Sequence, residues 1–269
     1  MLLCRLFPRF VPWAGVAAKV VGPADAHKRL TGLAFCFLPL PAKTGLGVHV
    51  NGYFELSTNR RDIWTGEDMS GDGRLRAEWN VALLQDVVAP SYLRLLERIK
   101  VAMGFSLGYQ QLWPTGNLVS PWDKVQDAVM QNASHHELLC SIRGDGGLTW
   151  VTAKQAVLMP DVADGRLLRI LTNEDVCVID ATPELRSLLL DFNAYSSLAT
   201  PQFVRNQLRM RCNGENGTGC YNAEDTGFLL EYCLQSLPND RLEELDRLPL
   251  LPLQDGSVGR FAIFSTDQR

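Results

Sequence analysis

The stretch from Gly32 to Trp64 constrains the fold most, because two different strand patterns are followed by a polar loop. Residues Leu33 to Leu38 form an apolar run of strand length. Pro39 and Pro41 close this run, and proline cannot donate to the ladder of a central strand. The pattern predicts a strand that is buried on both faces and ends before the prolines.

A second strand is predicted from Val48 to Leu56, where apolar and polar residues alternate. This period of two is typical of a half-buried strand. The face predicted to be buried carries Val48, Val50, Phe54 and Leu56. A polar, cationic turn follows at Ser57, Thr58, Asn59, Arg60 and Arg61.

The residues of this region resemble the repeat unit of the sacsin family over about sixty positions. The resemblance lies in FCFLPLP, in TGLGVHVNGYFELSTNRRDIW, and in the spaced WN and LLQDVVAP of residues 79–90. Weaker similarity extends to FVPWAGVAAKV upstream, and to LWPTGNLVSPW, TPQFVRNQLR and LPLLPLQDGSVGRF downstream. Gly47 is a departure, since the family usually has proline there.

The resemblance implies a neighbouring nucleotide-binding lobe of the GHKL type, like that of the 90-kDa heat-shock proteins. Such a lobe needs an acidic residue and an asparagine on one helix, an Asp-x-Gly-x-Gly loop and a glycine-rich lid. The sequence contains none of these, and Asn132 in QDAVMQNASHH lacks the acidic partners. We therefore expect the chain to begin after the nucleotide lobe, to bind no cofactor or metal itself, and not to be an enzyme alone.

Composition predicts a globular cytoplasmic chain without affinity for nucleic acid or membranes. The 269 residues are 46% hydrophobic and carry a net charge of −4, which argues against a basic binding surface. The seven cysteines include no C-x-x-C pair, so a disulfide framework is not expected. The first twenty residues also allow a targeting peptide as an alternative.

The element pattern predicts an α+β fold with two lobes. Residues 1–104 form the first lobe, a mixed sheet with a helix pair at 74–103 that Gly104 caps. Tyr92, Leu95 and Ile99 are predicted to be the seam between helix and sheet. Residues 105–269 form a smaller mixed α/β lobe, with the boundary in the loop at 105–121.

In the second lobe, local signals predict the ends of several elements. Thr182-Pro183 and Thr200-Pro201 are N-cap and first-turn pairs of two helices. Further predictions are helices at 122–133 and 223–237, a loop at 212–221, and hairpins at 138–151 and 250–264.

The loop Asn59, Arg60 and Arg61 is the candidate functional site. In the 90-kDa heat-shock proteins, an arginine on a loop outside the nucleotide lobe reaches the ATP γ-phosphate, and this loop resembles it in placement. A guanidinium suits that task because its charge is permanent and its donors form a fork. The alternative is a structural turn, in which Arg60 and Arg61 pair with Asp62 or Glu67 or bind loop carbonyls.

Three classes of function remain open. The first is a chaperone-type segment that contacts protein clients or co-chaperones and works with an ATP-binding lobe of a longer form. The second is a non-catalytic interaction module, and the third is an incomplete product of a longer ATP-dependent chaperone.

Overall fold

The computed structural model describes residues 10–20, 30–66, 71–160, 165–192, 197–212, 221–237, 241–254 and 257–262. These residues form an α+β fold of helices and mixed sheets, which confirms the predicted class. The chain divides into two compact units. The first comprises Met1–Ser141, Thr149–Ala156 and Ala181–Ser196, and the second comprises Ile142–Leu148, Val157–Asp180 and Ser197–Arg269. The predicted division after residue 104 falls within the first range.

A four-stranded sheet opens the first unit. Its strands are β1 (Ala14–Ala17), β2 (Leu33–Cys36), β3 (Leu38–Lys43) and β4 (His49–Gly52), in the spatial order β1-β4-β2-β3. Strand β4 is antiparallel to β1 and parallel to β2. Strands β2 and β3 are antiparallel and are joined by Phe37 alone.

The prediction that Leu33 to Leu38 is one strand buried on both faces is wrong. The chain reverses at Phe37, which has φ of 61°, and Leu38 is 74% exposed at the start of β3. Pro39 and Pro41 lie inside β3, at the edge of the sheet, where a missing N–H is tolerated. Phe37 is itself apolar, so the reversal does not interrupt the run of apolar residues. The hydrophobic pattern therefore could not predict the reversal.

The predicted buried face of the next strand is confirmed over most of its length. Val48, Val50 and Phe54 are all buried, whereas Leu56 is half-buried. Beyond β4, Leu56 forms an isolated antiparallel bridge with Ile63. This bridge brings the two ends of the following loop together.

The predicted helix pair is a nearly continuous helical stretch. Helix α1 (Asp72–Leu83) passes through a π-helical turn (Leu84–Val88) into α2 (Ala89–Met103). The π turn ends two residues before Pro90, which has no N–H for the usual helical bond, so a disturbance is found where Pro90 predicted one. The stretch ends at Gly104, whose φ is 59° and whose N–H donates to Lys100 at 2.9 Å, so the predicted cap is confirmed.

The apolar face of α2 differs from the prediction at one residue. Tyr92, Leu96 and Ile99 are buried, whereas Leu95 is only half-buried. Helix α2 packs against β1 as predicted, and on its buried face the fully buried residue is Leu96 rather than Leu95. The predicted apolar face is therefore corrected at this residue, because a helical period of 3.6 allows either neighbour to be the buried one.

The remaining elements follow in chain order: α3 (Leu107–Gln110), α4 (Asp123–Ala133), β5 (Glu137–Ile142), β6 (Leu148–Thr152), β7 (Val157–Leu158), α5 (Gly165–Asn173), β8 (Val178–Ile179), α6 (Pro183–Asp191), β9 (Ser197–Leu198), α7 (Pro201–Cys212), α8 (Ala223–Leu234), a 3₁₀ turn (Leu242–Leu245), β10 (Leu251–Pro252) and β11 (Val258–Gly259). Helix α4 and the hairpin of β5 and β6 are confirmed. In the predicted boundary loop at 105–121, Tyr109 and Trp113 are fully buried.

Both predicted threonine caps are confirmed. The Thr182 hydroxyl accepts from the Leu185 N–H at 3.4 Å, and the Thr200 hydroxyl accepts from the Phe203 N–H at 3.2 Å.

The predictions for the last part of the chain are confirmed where the residues are described. Helix α8 begins at Ala223 as predicted, and β10 pairs with β11 in antiparallel orientation. The predicted loop at 212–221 lies almost wholly outside the described residues.

The second unit encloses its own apolar core. Strand β7 pairs in parallel with both β8 and β9. The core includes Leu167, Ile170, Leu171, Val204, Leu208, Leu229 and Leu248. Arg205 is 2% exposed beside this core, where it donates to the Cys233 carbonyl at 2.6 Å and pairs with Glu244 at 2.9 Å.

Within the described part of the chain, no helix is long and apolar enough to cross a membrane. The same residues contain no group of three or more histidine, cysteine, aspartate or glutamate side chains placed to hold a metal ion.

Candidate functional site

The candidate loop has a defined internal structure. The Asn59 side-chain oxygen accepts from the Ser57 hydroxyl at 2.7 Å and from the Arg61 N–H at 3.0 Å. The Ser57 N–H donates to the Asp62 carbonyl at 2.9 Å, which closes the turn. Asn59 therefore shapes the loop from within, and its amide oxygen is already used.

Arg60 and Arg61 are the members of the site whose side chains remain available. Both are exposed, and neither guanidinium forms an ion pair or a hydrogen bond with another described residue. The pairing with Asp62 that a structural turn could use is therefore not formed, and Glu67 lies outside the described residues. Arg60 has φ of 57°, so the backbone at the tip of the loop is in the left-handed region.

Asn80 on α1 holds both ends of the loop. It is 1% exposed and accepts from the Glu55 N–H at 2.9 Å. Its side-chain N–H₂ donates to the carbonyl of Glu55 at 2.7 Å and to the carbonyl of Trp64 at 2.9 Å. A buried amide that satisfies three backbone groups fixes the positions where the chain enters and leaves the loop.

Arg76, one turn before Asn80, adds a second attachment. Its guanidinium pairs with Glu55 at 2.8 Å, donates to the Leu56 carbonyl, and lies 4.8 Å from the centre of the Trp64 ring. The Trp64 indole N–H in turn donates to the Gly73 carbonyl at 2.8 Å. The acidic Glu55 is thereby occupied, so it does not neutralise the arginines of the loop.

Trp79 anchors the strand that leads to the loop. Its indole N–H donates to the Tyr53 carbonyl at 3.0 Å, and its ring stacks on Phe10 with 4.8 Å between ring centres. Trp79 and Asn80 are the WN pair of the sequence resemblance. Their role was not visible in the sequence, where the only signal was an asparagine beside a tryptophan on a predicted helix.

The charge of Arg60 affects the pKa of the Cys36 thiol, at the end of β2. Burial raises the pKa of the Cys36 thiol, and the charge of Glu55 raises it further, whereas the Phe54 carbonyl and Arg60 lower it. The Cys36 thiol donates to the Phe54 carbonyl at 3.7 Å. The site is thus a loop of fixed shape with two exposed guanidinium groups, which can bind an anion.

Comparison with known proteins finds a significant similarity to human sacsin. The chain is 29% identical to human sacsin over an alignment of 287 residues. This alignment covers 97% of the present chain and 6% of sacsin. The chain thus spans about 6% of the length of this relative. No family model matches the chain, and no solved structure matches it significantly. The similarity covers the sheet, the arginine loop and the second unit, so the chain resembles this part of sacsin along nearly its whole length.

Proposed function

We propose that this chain is a segment of a sacsin-like chaperone or co-chaperone that acts in protein folding and quality control in the cytoplasm. In this role it contributes contacts to client proteins or co-chaperones and has no ATP-binding lobe of its own. The observation that carries the proposal is the similarity to sacsin along 97% of the chain. Two compact units with exposed apolar side chains agree with a role in protein contacts.

A direct test is suppression of aggregation. Purified chain is added to thermally denatured citrate synthase, and light scattering is followed against an equal mass of serum albumin. We expect scattering to fall as the chain approaches equimolar amounts. Scattering that matches the albumin control at every ratio would contradict the chaperone proposal.

We further propose that Arg60 and Arg61 contact the γ-phosphate of ATP bound to a nucleotide lobe, on a longer form of this protein or on a separate chain. Three features support this role: both guanidinium groups are exposed, no acid among the described residues pairs with them, and Asn80 fixes the base of the loop. Fixed cationic donors suit the charge that develops on a transferring phosphoryl group.

The chain alone is expected not to hydrolyse ATP. Catalysis of phosphoryl transfer depends on preorganised groups that hold magnesium, the base and the attacking water, and two arginines cannot replace them. The measurement is phosphate release by the purified chain. Turnover that copurifies with the chain and is lost in Arg60→Ala would refute this expectation.

The test of the loop requires a reconstituted system. The chain is combined with an ATP-binding lobe of the GHKL type from a sacsin-like protein, and ATPase rates are compared for Arg60→Lys/Arg61→Lys and Arg60→Ala/Arg61→Ala. Because lysine keeps the charge but lacks the fork, we expect the lysine variant to lose rate as well. Arginines of this kind contribute about 10³–10⁵ in rate in other systems, and less in slow ATPases.

Arg98→Ala, at an exposed position of α2, is the matched control and should leave the rate unchanged. If both double variants retain the full rate of a complex that demonstrably binds ATP, the loop is structural. The function that then remains for this chain is that of a non-catalytic interaction module. Such a module could be a truncated paralogue or part of an incomplete product of a longer gene. Its function would depend on surface contacts alone.

A further inference from the structure

Three aromatic side chains form an exposed cluster at one end of the four-stranded sheet. The rings of Trp13 and Tyr53 lie 5.4 Å apart, and those of Phe37 and Tyr53 lie 4.9 Å apart, measured between ring centres. Trp13 is 45% exposed and Phe37 is 65% exposed. We call Trp13, Phe37 and Tyr53 the aromatic cluster. Leu38, which is 74% exposed, extends it with a further apolar side chain.

The backbone at Phe37 is costly for the residue that occupies it. With φ of 61°, this position favours glycine or asparagine, and a bulky side chain there is an outlier. The Phe37 N–H donates to the Asn51 side-chain oxygen at 3.3 Å, an interaction that any residue other than proline could make. Folding therefore does not account for a phenylalanine that is both strained and exposed, and such outliers concentrate at functional sites.

The Arg60–Arg61 loop follows the segment that carries the aromatic cluster. Phe37 contacts the Tyr53 ring, and the thiol of the preceding residue, Cys36, donates to the Phe54 carbonyl at 3.7 Å, three residues before the loop begins at Ser57. The charge of Arg60 accordingly lowers the pKa of this thiol, against the larger effect of burial. Glu55, the acid that acts on the same thiol, is engaged by Arg76 at 2.8 Å. Arg60 and Arg61 thus place two positive charges, without an acidic partner among the described residues, beside an apolar surface.

We propose that the aromatic cluster and the Arg60–Arg61 loop together bind an acidic, apolar segment of a partner polypeptide. The proposal rests on the proposed function and names the class of its protein partner. Aromatic residues and arginine are the side chains most enriched where interfaces concentrate their binding energy. Acidic side chains of the partner would meet the two guanidinium groups, and its apolar side chains would cover the three rings.

A nucleic-acid ligand fits this surface less well. Single-stranded nucleic acid also stacks on aromatic side chains, but it needs a basic groove that follows the phosphate backbone. Arg60 and Arg61 belong to one loop and form no groove, and the chain carries a net charge of −4. An acidic polypeptide requires fewer cations, because its charges are discrete and alternate with apolar side chains.

The test uses fluorescence anisotropy of the whole chain with four labelled probes. The first is a peptide of about twelve residues that alternates Glu or Asp with Leu or Phe. The second has Lys in place of the acids, the third has Ser in place of the apolar residues, and the fourth is an oligothymidylate of equal length. We expect the first probe to bind at least about tenfold more tightly than each of the others, a difference of about 1.4 kcal/mol.

Phe37→Asn is the decisive variant, because asparagine tolerates the left-handed backbone while it removes the ring. Arg60→Asn makes the corresponding change at the other left-handed position. We expect each to weaken binding of the first peptide about tenfold. The melting temperature of Phe37→Asn should be equal to or above that of the unaltered chain, which separates loss of binding from loss of folding.

The controls are Val101→Asn and Arg98→Asn, which make the same changes at exposed positions of α2. Both should bind the first peptide as the unaltered chain does. Equal affinity for the unaltered chain and Phe37→Asn would overturn the proposal. So would preference for oligothymidylate, or a concentration-dependent dimer, measured by sedimentation, that Phe37→Asn abolishes.

The aggregation assay separates this proposal from the proposed function. Peptide binding that depends on Phe37, without suppression of aggregation, supports the docking surface and refutes the chaperone role. Suppression of aggregation that persists in Phe37→Asn, with no peptide binding, refutes the docking surface alone.

Discussion

At the scale of single residues, the geometry of the arginine loop depends on Asn80, a side chain that never reaches the loop surface. Its three backbone partners are 16 or 25 positions away in the sequence. For this reason the sequence could suggest Asn59, Arg60 and Arg61 as a candidate site, because they are adjacent and chemically distinctive, but not the residue that holds the ends of their loop. Contacts between distant positions follow from the fold and not from local pattern.

Replacing Asn80 by leucine should lower the free energy of unfolding by about 2–4 kcal/mol, since each buried backbone group left without a partner costs about 1–3 kcal/mol. Urea denaturation monitored by tryptophan fluorescence measures the change. Asn132→Leu makes the same substitution at an exposed position of α4 and should shift stability by less than about 0.5 kcal/mol. Equal losses in the two variants would mean that Asn80 does not hold the loop.

Gly47 lies where another part of the backbone approaches closely. A Cβ atom at this position would lie 2.4 Å from the Gln111 carbonyl oxygen and 3.1 Å from the Leu112 Cα. Any side chain would therefore force the segment around Gln111 away from the strand.

Gly47→Ala should destabilise the chain by about 1–3 kcal/mol, as overpacking of a tight site does. Gly15→Ala is the control, because no atom lies within 4 Å of a Cβ built there. Thermal melts of the two variants provide the comparison. A melting temperature of Gly47→Ala as high as that of Gly15→Ala would show that residues 111–112 can move without cost.

At the scale of elements, helix ends and two hairpins were predictable, whereas the reversal at Phe37 was not. The caps at Thr182, Thr200 and Gly104 depend on one to three neighbouring residues, so the sequence contains all the information they need. The reversal at Phe37 depends on pairing between β2 and β3, and nothing in the apolar run signals it. Pro90 signalled a disturbance, but the π-helical form that the helix takes there was not predicted.

The seam between α2 and the sheet gives a prediction at the same scale. Leu96→Ala should cost about 2–5 kcal/mol, because Leu96 is fully buried and its loss leaves a cavity. Leu95→Ala should cost clearly less, since Leu95 is half-buried. The denaturant concentrations at which the two variants are half unfolded measure the difference in stability between them. A larger loss for Leu95→Ala would restore the originally predicted seam.

At the scale of the whole molecule, the predicted two-lobe division depends on the loop at 105–121. The loop at 105–121 contains the glycines and prolines expected of a linker, yet Tyr109 and Trp113 within it are fully buried. The compact units also exchange short segments, with residues 149–156 and 181–196 returning to the first. Such exchange arises from tertiary contacts, which a linear reading of turn residues does not contain.

Buried thiols should make the stability of the protein depend on alkaline pH. Burial raises the pKa of Cys233 to about 12 from its ordinary 9.0, although Arg205 and Arg209 act to lower it. The folded state therefore disfavours the thiolate. This stabilising contribution is complete below pH 9.0 and is lost as the pH rises towards 12.

We expect the free energy of unfolding to fall across that interval, and to fall less steeply in Cys233→Ala. Urea denaturation at several pH values between the two limits measures both slopes. Burial also raises the pKa of Cys140, which adds to the decline in both proteins. Identical slopes for Cys233→Ala and the unaltered chain would contradict the prediction.

The prolines of β3 limit how this protein can associate with others. Among the described strands β3 lies at an edge of the sheet, and two of its six residues, Pro39 and Pro41, carry no N–H. An extended polypeptide that added itself to this edge would meet an interrupted row of donors. Strand addition is thereby disfavoured here, both for the growth of aggregates and for the capture of unfolded chains. This edge of the sheet is thereby protected from recruitment into the β-structure of other chains.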